Sequence, residues 1–428
     1  MKLLRNYNFT ILFLGRMVTN IGDSLYTIAA MWLVYELGGS TFYTGLAGFL
    51  TMLPRLFQFL TGPIVDRYPL KKILVITQVI QLILILTILV IYSAGFLSVF
   101  ILLIIMPIIT SVNQFVYPAQ TASLPRIVEK KQLVQANSMF SFAYQGIDIV
   151  STSLGGILIA LFGVMTLYII DSVTFSIALL LFLSLKIPHD DQLEKNAEIN
   201  TEKHTRVSSI KFHLKQYMSS LKEGYNFVKG SIISKFFYGS IAANFSFGVA
   251  LAVLPAYSSD RGGPELYGYF LAAFSAGFLI GAFLSNFLKI LPFGKTVVFS
   301  FLLSALLWIS SVIVPSSMLS IIIFALALIP LGAAEVTMAA VGQQIIPQQF
   351  LARTFSLISS ISASAMPLGS LLGGYLGTIM NPYITFIIGS LGMLTVSIVW
   401  LVIPQLRRIP KVDEIKAEDY ISINKELA

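Results

Sequence analysis

Residues 62–72 read Gly-Pro-Ile-Val-Asp-Arg-Tyr-Pro-Leu-Lys-Lys and form a short basic segment between two long apolar stretches, 42–64 and 72–92. An α-helix rises about 1.5 Å per residue, so ~20 apolar residues cross the ~30 Å hydrocarbon core of a bilayer. Both apolar stretches reach this length. The segment is therefore predicted to be a turn at a membrane surface between two transmembrane helices.

Apolar stretches of this length recur along the whole chain. Of its 428 residues, 56% are hydrophobic and only 11% are charged, and the mean hydropathy is +0.83. This composition excludes a soluble globular protein. The predicted fold class is an all-α membrane protein with twelve transmembrane helices, at about 9–36, 42–64, 72–92, 97–119, 138–162, 164–185, 236–257, 267–288, 296–314, 317–343, 354–380 and 383–404.

Lysine and arginine residues mark one side of the predicted membrane. Of the 28 in the chain, 25 lie at the N-terminus, in every second gap or in the C-terminal tail. The other gaps hold only Arg261, while Arg16 and Arg55 lie inside predicted helices. Because basic loops stay in the cytoplasm, both termini are expected there, in a multi-pass protein of the cell membrane. The net charge of +8 follows from this pattern, so no nucleic-acid partner is expected.

The two halves of the chain resemble each other weakly. Matching residues keep their order at offsets of 224, 218 and 216 positions: Asn20 with Asn244, Tyr43 with Tyr267, 154–156 with 372–374, and 187–188 with 403–404. We predict two pseudo-symmetric six-helix bundles, 1–188 and 232–404, a cytoplasmic linker at 189–231 and a cytoplasmic tail at 405–428. Apolar residues between 210 and 228 recur every three or four positions, which predicts an amphipathic surface helix in the linker. Such halves are typical of transporters with a ligand site near the midplane.

The segment 62–72 fits the pattern G-x-x-x-D-R-x-x-x-K-K and resembles the loop motif of the major facilitator superfamily. Further stretches resemble the branch that holds macrolide-efflux proteins and the enterobactin exporter: 15–23, 118–125, 222–224 and 353–367. The resemblance covers nearly the whole chain and implies transport by alternating access. Two features depart from it. Ile-Thr-Ser stands at 109–111 where many proton-coupled members carry an arginine, and only part of an antiporter motif survives at 151–156.

Polar residues form a stripe on two of the predicted helices. Spacings of three and four residues place each set on one helical face: Arg16, Asn20, Asp23 and Thr27 on the first helix, and Ser141, Gln145, Asp148 and Thr152 on the fifth. An ionisable group at the bilayer centre costs ~2.5–3.5 kcal/mol, so these faces are predicted to line a cavity or to contact other helices.

The resemblance to proton-coupled exporters implies that buried acids carry protons. Asp148 and Glu335 are the first candidates, with Asp23 and Arg16 as further coupling residues. The alternative is a fixed ion pair of Arg16 or Arg55 with one of these acids that only holds helices together. Asp171 is expected in the first turn of the sixth helix, in a capping and packing role.

Other residues are predicted to line the substrate cavity or to close it. Uncharged polar and aromatic groups suit amphipathic organic ligands, and the candidates are Asn20, Asn113, Gln114, Tyr117, Tyr144, Gln145, Asn244, Phe247 and Gln343. Asp66, Arg67 and Arg353 are expected to form a cytoplasmic latch, in which the carboxylate lies against the positive N-terminal end of the eleventh helix. The glycines 277, 281, 369, 373 and 377 are expected to mark close helix contacts.

Several functional classes lack the residues that they need. The chain has no cysteine, and its three histidines lie in the linker, so neither a metal site nor an intramembrane catalytic set is expected. The triplet Gly294-Lys295-Thr296 lacks the leading glycine of an ATP-binding loop, because Lys289 stands there. We therefore expect no enzyme activity, no cofactor and no ATP.

Together these features predict a monomeric secondary transporter in the lipid bilayer. An ion gradient, of protons by expectation, would drive efflux of a small amphipathic molecule such as a drug, macrolide or siderophore. The alternative is a solute importer, a facilitator or a lipid transporter on the same fold.

Overall fold

A computed structural model describes residues 3–58, 61–65, 68–187, 232–288, 290–346 and 348–415. These residues form α-helices and three short 3₁₀ turns, and no strand occurs among them. The predicted linker and its amphipathic helix lie outside the described residues. The helices are α1 Tyr7–Gly38, α2 Thr41–Leu56, α3 Gly62–Val65, α4 Leu70–Ser93, α5 Val99–Asn113, α6 Val116–Ile127, α7 Leu133–Phe162, α8 Val164–Ser184, α9 Ile233–Arg261, α10 Pro264–Leu288, α11 Phe293–Ile313, α12 Ser317–Ile345, α13 Gln348–Ile379, α14 Pro382–Val402 and α15 Pro404–Arg407.

The predicted all-α membrane fold is confirmed. In the described ranges, nine helical segments are long and apolar enough to cross a membrane, with α5 and α6 counted as one segment. The three other predicted spans are also helical: α1 and α13 have 32 residues each and α2 has 16. The number of twelve spans stays a prediction.

Two helices differ from the predicted spans. The span at 42–64 ends as α2 at Leu56, and a short α3 begins only at Gly62. The span at 97–119 is interrupted after Asn113, and α6 continues to Ile127. Pro118 accounts for this interruption, because a proline ring clashes with the carbonyl four residues earlier, here that of Gln114.

The chain forms two compact units, and α2 is divided between them. The first unit contains α1, the part of α2 from Leu50 onward, and α3 to α8. The second unit contains Gly39–Phe49 and α9 to α15. The predicted halves and their symmetry stay a prediction.

The first unit is closed at its basic end by rings and by side-chain hydrogen bonds. Phe9, Phe13 and Phe140 pack with centroid distances of 5.2–6.0 Å. The ammonium group of Lys71 on α4 donates to the carbonyl of Leu183 on α8 over 2.6 Å. These contacts join α1 to α7 and α4 to α8.

Glycines bring helices of the second unit into backbone contact, as expected for small residues in transmembrane helices. A methyl group at Gly369 would overlap the backbone of Phe245, and one at Gly281 would overlap that of Ile329. Gly45 of α2 lies equally close to Gly374 of α13. The predicted glycine contacts are therefore confirmed.

Arg261, the exception in the charge pattern, has a structural role in the second unit. One guanidinium nitrogen, Nη2, donates to the carbonyls of Val312 and Val314 over 2.7 and 2.9 Å, at the C-terminal end of α11. The guanidinium also lies 5.1 and 5.4 Å from the ring centres of Tyr257 and Tyr383. A cation at this helix end satisfies free carbonyls and opposes the negative end of the helix dipole.

The segment after α14 packs on the start of α11. The amide groups of Phe293 and Gly294 donate to the carbonyls of Pro410 and Ile409 over 3.0 and 3.2 Å. A methyl group at Gly294 would overlap the carbonyl of Leu406. The glycine of the triplet at 294–296 is therefore explained by this close contact.

Candidate functional site

A buried cation lies at the centre of the first unit. Arg16 of α1 is 6% exposed. Its Nε donates to Gln120 over 2.9 Å and to the Tyr144 hydroxyl over 3.1 Å, and its Nη1 donates to Thr19 over 2.8 Å. The Tyr144 hydroxyl in turn donates to Gln120. Neutral oxygen atoms from α1, α6 and α7 thus hold the guanidinium, which lies 5.5 Å from the Tyr144 ring centre.

The alternative of a fixed ion pair has no counterpart among the described acids and arginines of this unit. Neither Arg16 nor Arg55 pairs with Asp23 or Asp148, and the ion pair found in the described ranges joins Lys131 to Glu129 at the surface over 2.7 Å. Arg55 is exposed. The charge of Arg16 is therefore compensated by hydrogen bonds and by more distant acids.

Asp23 and Asp148 lie near this network in different environments. Asp23 is about two helical turns from Arg16, or ~10 Å along the axis, where the guanidinium charge and the Asn113 amide both act on its carboxylate. Asp148 of α7 is exposed and accepts a hydrogen bond from Ser24 over 3.1 Å. Asn20 donates to the carbonyl of Tyr144 over 3.4 Å. The polar stripe of α1 thus faces α7.

Three of the remaining candidates of the first unit, Asn113, Gln114 and Tyr117, lie around the break between α5 and α6, and Gln145 is on α7. Tyr117 and Gln145 are exposed, and Asn113 is half-buried. Gln114 donates to the carbonyl of Thr110 over 2.9 Å and lines an open groove of about 350 Å³ between α2 and α5. The groove is otherwise mostly apolar, with Leu50, Leu53, Pro54, Phe57, Thr61, Ile64, Pro107, Ser111 and Phe115 as lining residues. A groove of this kind suits the apolar part of an amphipathic molecule.

The candidates of the second unit do not form a comparable network. Asn244 donates to the carbonyl of Ser240 in its own helix over 3.0 Å. Phe247 packs against Phe274, Phe278 and Trp308 at centroid distances of 5.3–6.1 Å. It is therefore part of an aromatic cluster, in addition to its predicted place in a cavity.

The other predicted residues are exposed or undescribed. Glu335 and Gln343 are both exposed on α12. Asp66 and Arg67 lie outside the described residues, as does the side chain of Arg353 on α13, so the latch stays a prediction.

Sequence reasoning missed Gln120 and misplaced Asp171. Gln120 accepts hydrogen bonds from Arg16 and Tyr144, and it was missed because the predicted span ended one residue before it, at 119. Asp171 is not in a first turn, because α8 begins at Val164, and its side chain is 0% exposed. It faces Gly22 of α1, where a methyl group would overlap its carboxylate.

The model of a family described as "Transmembrane secretion effector" matches residues 2–427. Two MFS-type transporters of Bacillus subtilis (strain 168) are similar in sequence. YvqJ is 22% identical over 427 residues, covering 97% of this chain and 96% of its own, and YkuC is 24% identical over 305 residues, covering 68% and 67%.

Solved structures share the fold at low sequence identity. A bacterial homologue of the human lysosomal transporter Spinster has a TM-score of 0.67 at 14% identity, covering 99% of this chain and 100% of its own. The nucleoside transporter NupG has a TM-score of 0.69 at 13% identity, covering 93% and 98%. A bacterial homologue of the iron transporter ferroportin has a TM-score of 0.66 at 15% identity, covering 94% and 99%.

Proposed function

Because the chain belongs to the transmembrane secretion effector family and, with it, to the major facilitator superfamily of membrane transporters, we propose that it exports small amphipathic organic molecules in exchange for protons. The solved structures of this fold carry names as different as a nucleoside transporter and homologues of an iron transporter and of a lysosomal transporter. The fold therefore does not select the substrate. Selection must come from side chains of this chain.

The observation that carries the proposal is the Arg16 network. An ionisable group within a membrane helix is expensive to bury and is retained where it acts on an ion or a substrate. Arg16 is held by the neutral groups of Gln120, Tyr144 and Thr19, while the carboxylate of Asp23 lies two turns away. Such an arrangement responds to a change of charge nearby without first breaking a tight ion pair.

Coupling follows from this geometry. A proton on Asp23 or Asp148 removes a negative charge near Arg16, and loss of the proton restores it. If the two charge states favour different arrangements of the helices, protonation shifts the population between an inward-open and an outward-open form. Glu335 on α12 is the coupling candidate of the second unit.

The apolar groove between α2 and α5 supports the amphipathic character of the substrate. Its lining holds hydrocarbon and ring surfaces with few polar atoms, among them those of Gln114, Thr61 and Ser111. The apolar part of a substrate would lie there, while its polar part would reach the amide of Gln114.

The setting proposed for this activity is the cell membrane, with both termini in the cytoplasm. Basic segments such as 67–72 and 126–131 support this orientation by the positive-inside rule. We propose a monomer that needs no cofactor, ATP or nucleic acid, with the ion gradient as its energy source.

A flux assay in proteoliposomes tests the proposal. Purified protein is reconstituted, a pH gradient is imposed, and uptake of cationic drugs, macrolides and siderophores is measured, with protein-free liposomes as control. We expect flux of at least one class against its gradient, opposite in direction to proton flow. Counterflow without any pH dependence would make the protein a facilitator, and flux in the direction of proton flow would make it an importer.

A further inference from the structure

A second polar cluster lies inside the first unit, apart from the Arg16 network. We define it as Asp171 and Tyr168 on α8, Tyr26 on α1, and Gln78 and Gln81 on α4. All five side chains are buried, from 0% exposure at Asp171, Tyr168 and Gln78 to 5% at Tyr26. The Tyr26 and Tyr168 rings meet edge to face with their centroids 5.7 Å apart.

Of the two glutamines, Gln81 lies at a depth similar to that of Asp171, whereas Gln78 lies about one and a half helical turns nearer the Lys71 end. The bond between Lys71 and the carbonyl of Leu183 fixes the level of α4 against α8. Counted from this bond at ~1.5 Å per residue, Gln78 and Gln81 lie ~10 and ~15 Å along α4, and Asp171 lies ~18 Å along α8. The cluster is therefore located near the middle of these helices.

The polar atoms of this cluster lack partners within the protein. The Oδ2 of Asp171, the hydroxyls of Tyr26 and Tyr168, and both amide atoms of Gln78 and Gln81 make no hydrogen bond. The other carboxylate oxygen, Oδ1, has only the Thr174 hydroxyl at 3.5 Å, the outer limit for such a bond. Because buried polar groups are nearly always paired, each unpaired group calls for an explanation such as an ion.

The charges around Asp171 do not balance. From α1, the acid Asp23 and the phenol of Tyr26 act electrostatically with it, and on its own helix Tyr168 does. The α4 helix brings the uncharged glutamines, and α7 carries Asp148, which is exposed and bonded to Ser24. Arg16 acts on Asp23. Arg16 is therefore a charge partner of Asp23 and not of Asp171, and among the described residues no cation acts on the Asp171 carboxyl.

The backbone of α1 lies directly against this carboxylate. Gly22 faces Asp171 so closely that a methyl group there would overlap Oδ1 and the Thr174 hydroxyl. This contact fixes the carboxyl group against α1, where Oδ2 and the two phenols remain as unused oxygen atoms.

We propose that Asp171 binds one monovalent cation, H⁺ or Na⁺, within the first unit. Its carboxylate supplies the negative charge, and the phenols of Tyr26 and Tyr168, which both act electrostatically with it, supply neutral oxygen atoms. The site deepens the proposed function and rests on it for its role, since the bound ion would be a coupling ion. Its occupancy does not depend on transport.

Ion binding is tested on the purified full-length protein in lipid nanodiscs. The unfolding temperature is measured against Na⁺ at constant ionic strength, and the carboxyl infrared band is followed against pH without Na⁺. A ligand that binds the folded state stabilises it in proportion to ln(1 + [L]/Kd). A Na⁺ site raises the unfolding temperature, and a proton site gives a carboxyl band that titrates. Because the chain has 20 acidic residues, the proton site is read from the difference between the spectra of wild type and variant. Asp171→Asn removes the Na⁺ response or one titrating component of the carboxyl band, whereas Asp260→Asn, at an exposed acid of α9, keeps both.

Equal Na⁺ and pH responses in wild type and Asp171→Asn overturn the proposal. If Asp171→Asn does not fold, Thr174→Ala takes its place, because it removes the one hydroxyl near Oδ1. We then expect a shifted carboxyl band or a changed Na⁺ affinity, and an unchanged spectrum with an unchanged Na⁺ response overturns the site. Ion binding without any pH-driven substrate flux would refute the proposed export and leave the site intact.

Discussion

The first unit surrounds Arg16 and Asp171 with hydrogen-bonding groups, whereas the second unit surrounds Trp308 with Phe247, Phe324 and Phe386 at centroid distances of 5.1–6.1 Å. The burial of charged and polar side chains in the first unit adds little net stability, since the loss of hydration offsets much of the interaction. Ring packing adds the apolar contact that stabilises a helix bundle. We therefore expect that transport depends on single polar atoms in the first unit, and stability on side-chain volume in the second.

The largest effect on the free energy of unfolding is expected at Trp308. Its side chain is 0% exposed, so Trp308→Ala leaves a cavity among the surrounding rings and costs about 3–5 kcal/mol. Denaturant unfolding of the purified protein measures this loss. Phe299→Ala, at an exposed ring of the same helix, is the matched control. Equal losses in both variants would contradict the importance of the aromatic cluster.

A smaller loss is expected at Gly22, where the first unit is closely packed. Gly22→Ala pushes a methyl group into Asp171 and Thr174, and such overpacking costs about 1–3 kcal/mol. Gly146→Ala on α7 is the control, because a methyl group there meets no atom within 4 Å. That control should gain up to about 1 kcal/mol from helix propensity. Thermal unfolding of both variants measures whether Gly22→Ala lowers the stability while Gly146→Ala raises it.

Arg16→Met tests whether the polar groups of the first unit serve transport more than stability. In this variant we expect transport to be lost while the stability changes little. The Tyr144 hydroxyl and Gln120 remain hydrogen-bonded to each other when the guanidinium is removed. Arg16 has no ion-pair partner among the described acids, and Gln120 and Tyr144 stay paired without it, so we expect a loss of only about 1 kcal/mol. Substrate flux should nevertheless fall to the protein-free level in the proteoliposome assay. A folded variant with normal flux would remove Arg16 from the proposed mechanism.

The smallest change in stability is expected for Asp148→Asn. This side chain is exposed and has one hydrogen bond, from Ser24, that an amide oxygen also accepts. Transport driven by a pH gradient should be lost while the unfolding temperature stays the same. Asp260→Asn is the matched replacement of an acid by an amide, and it should keep both. Unchanged pH-driven flux in Asp148→Asn would exclude this acid as a proton carrier.

The spacing of residues along one helix predicted which side chains share a face of that helix. It did not predict which residues of other helices contact that face. The three- and four-residue spacing of Arg16 and Asn20 correctly placed them on one face. It gave no information that Gln120 would lie opposite, because Gln120 belongs to another helix and the packing of two helices is not encoded in the spacing along one of them.

Phe247, Gln78 and Gln81 show the same limit of prediction from spacing along one helix. Phe247 was predicted to line a cavity, yet its neighbours come from α10 and α11, and pairing between helices is not encoded in local periodicity. Gln78 and Gln81 lie three residues apart in an apolar run, which was a visible sign of a polar face. Its partner helix became apparent only with the packing of α4 on α8.

The contact between α11 and the segment after α14 can form only late in the synthesis of the chain. Gly294 emerges from the ribosome 115 residues before Ile409, whose carbonyl accepts its amide hydrogen. At ~5–20 residues per second, the start of α11 waits roughly 6–23 s for that acceptor. The helix must therefore enter the bilayer with an incomplete cap, so this contact acts after insertion, when it secures a bundle whose helices are already in place.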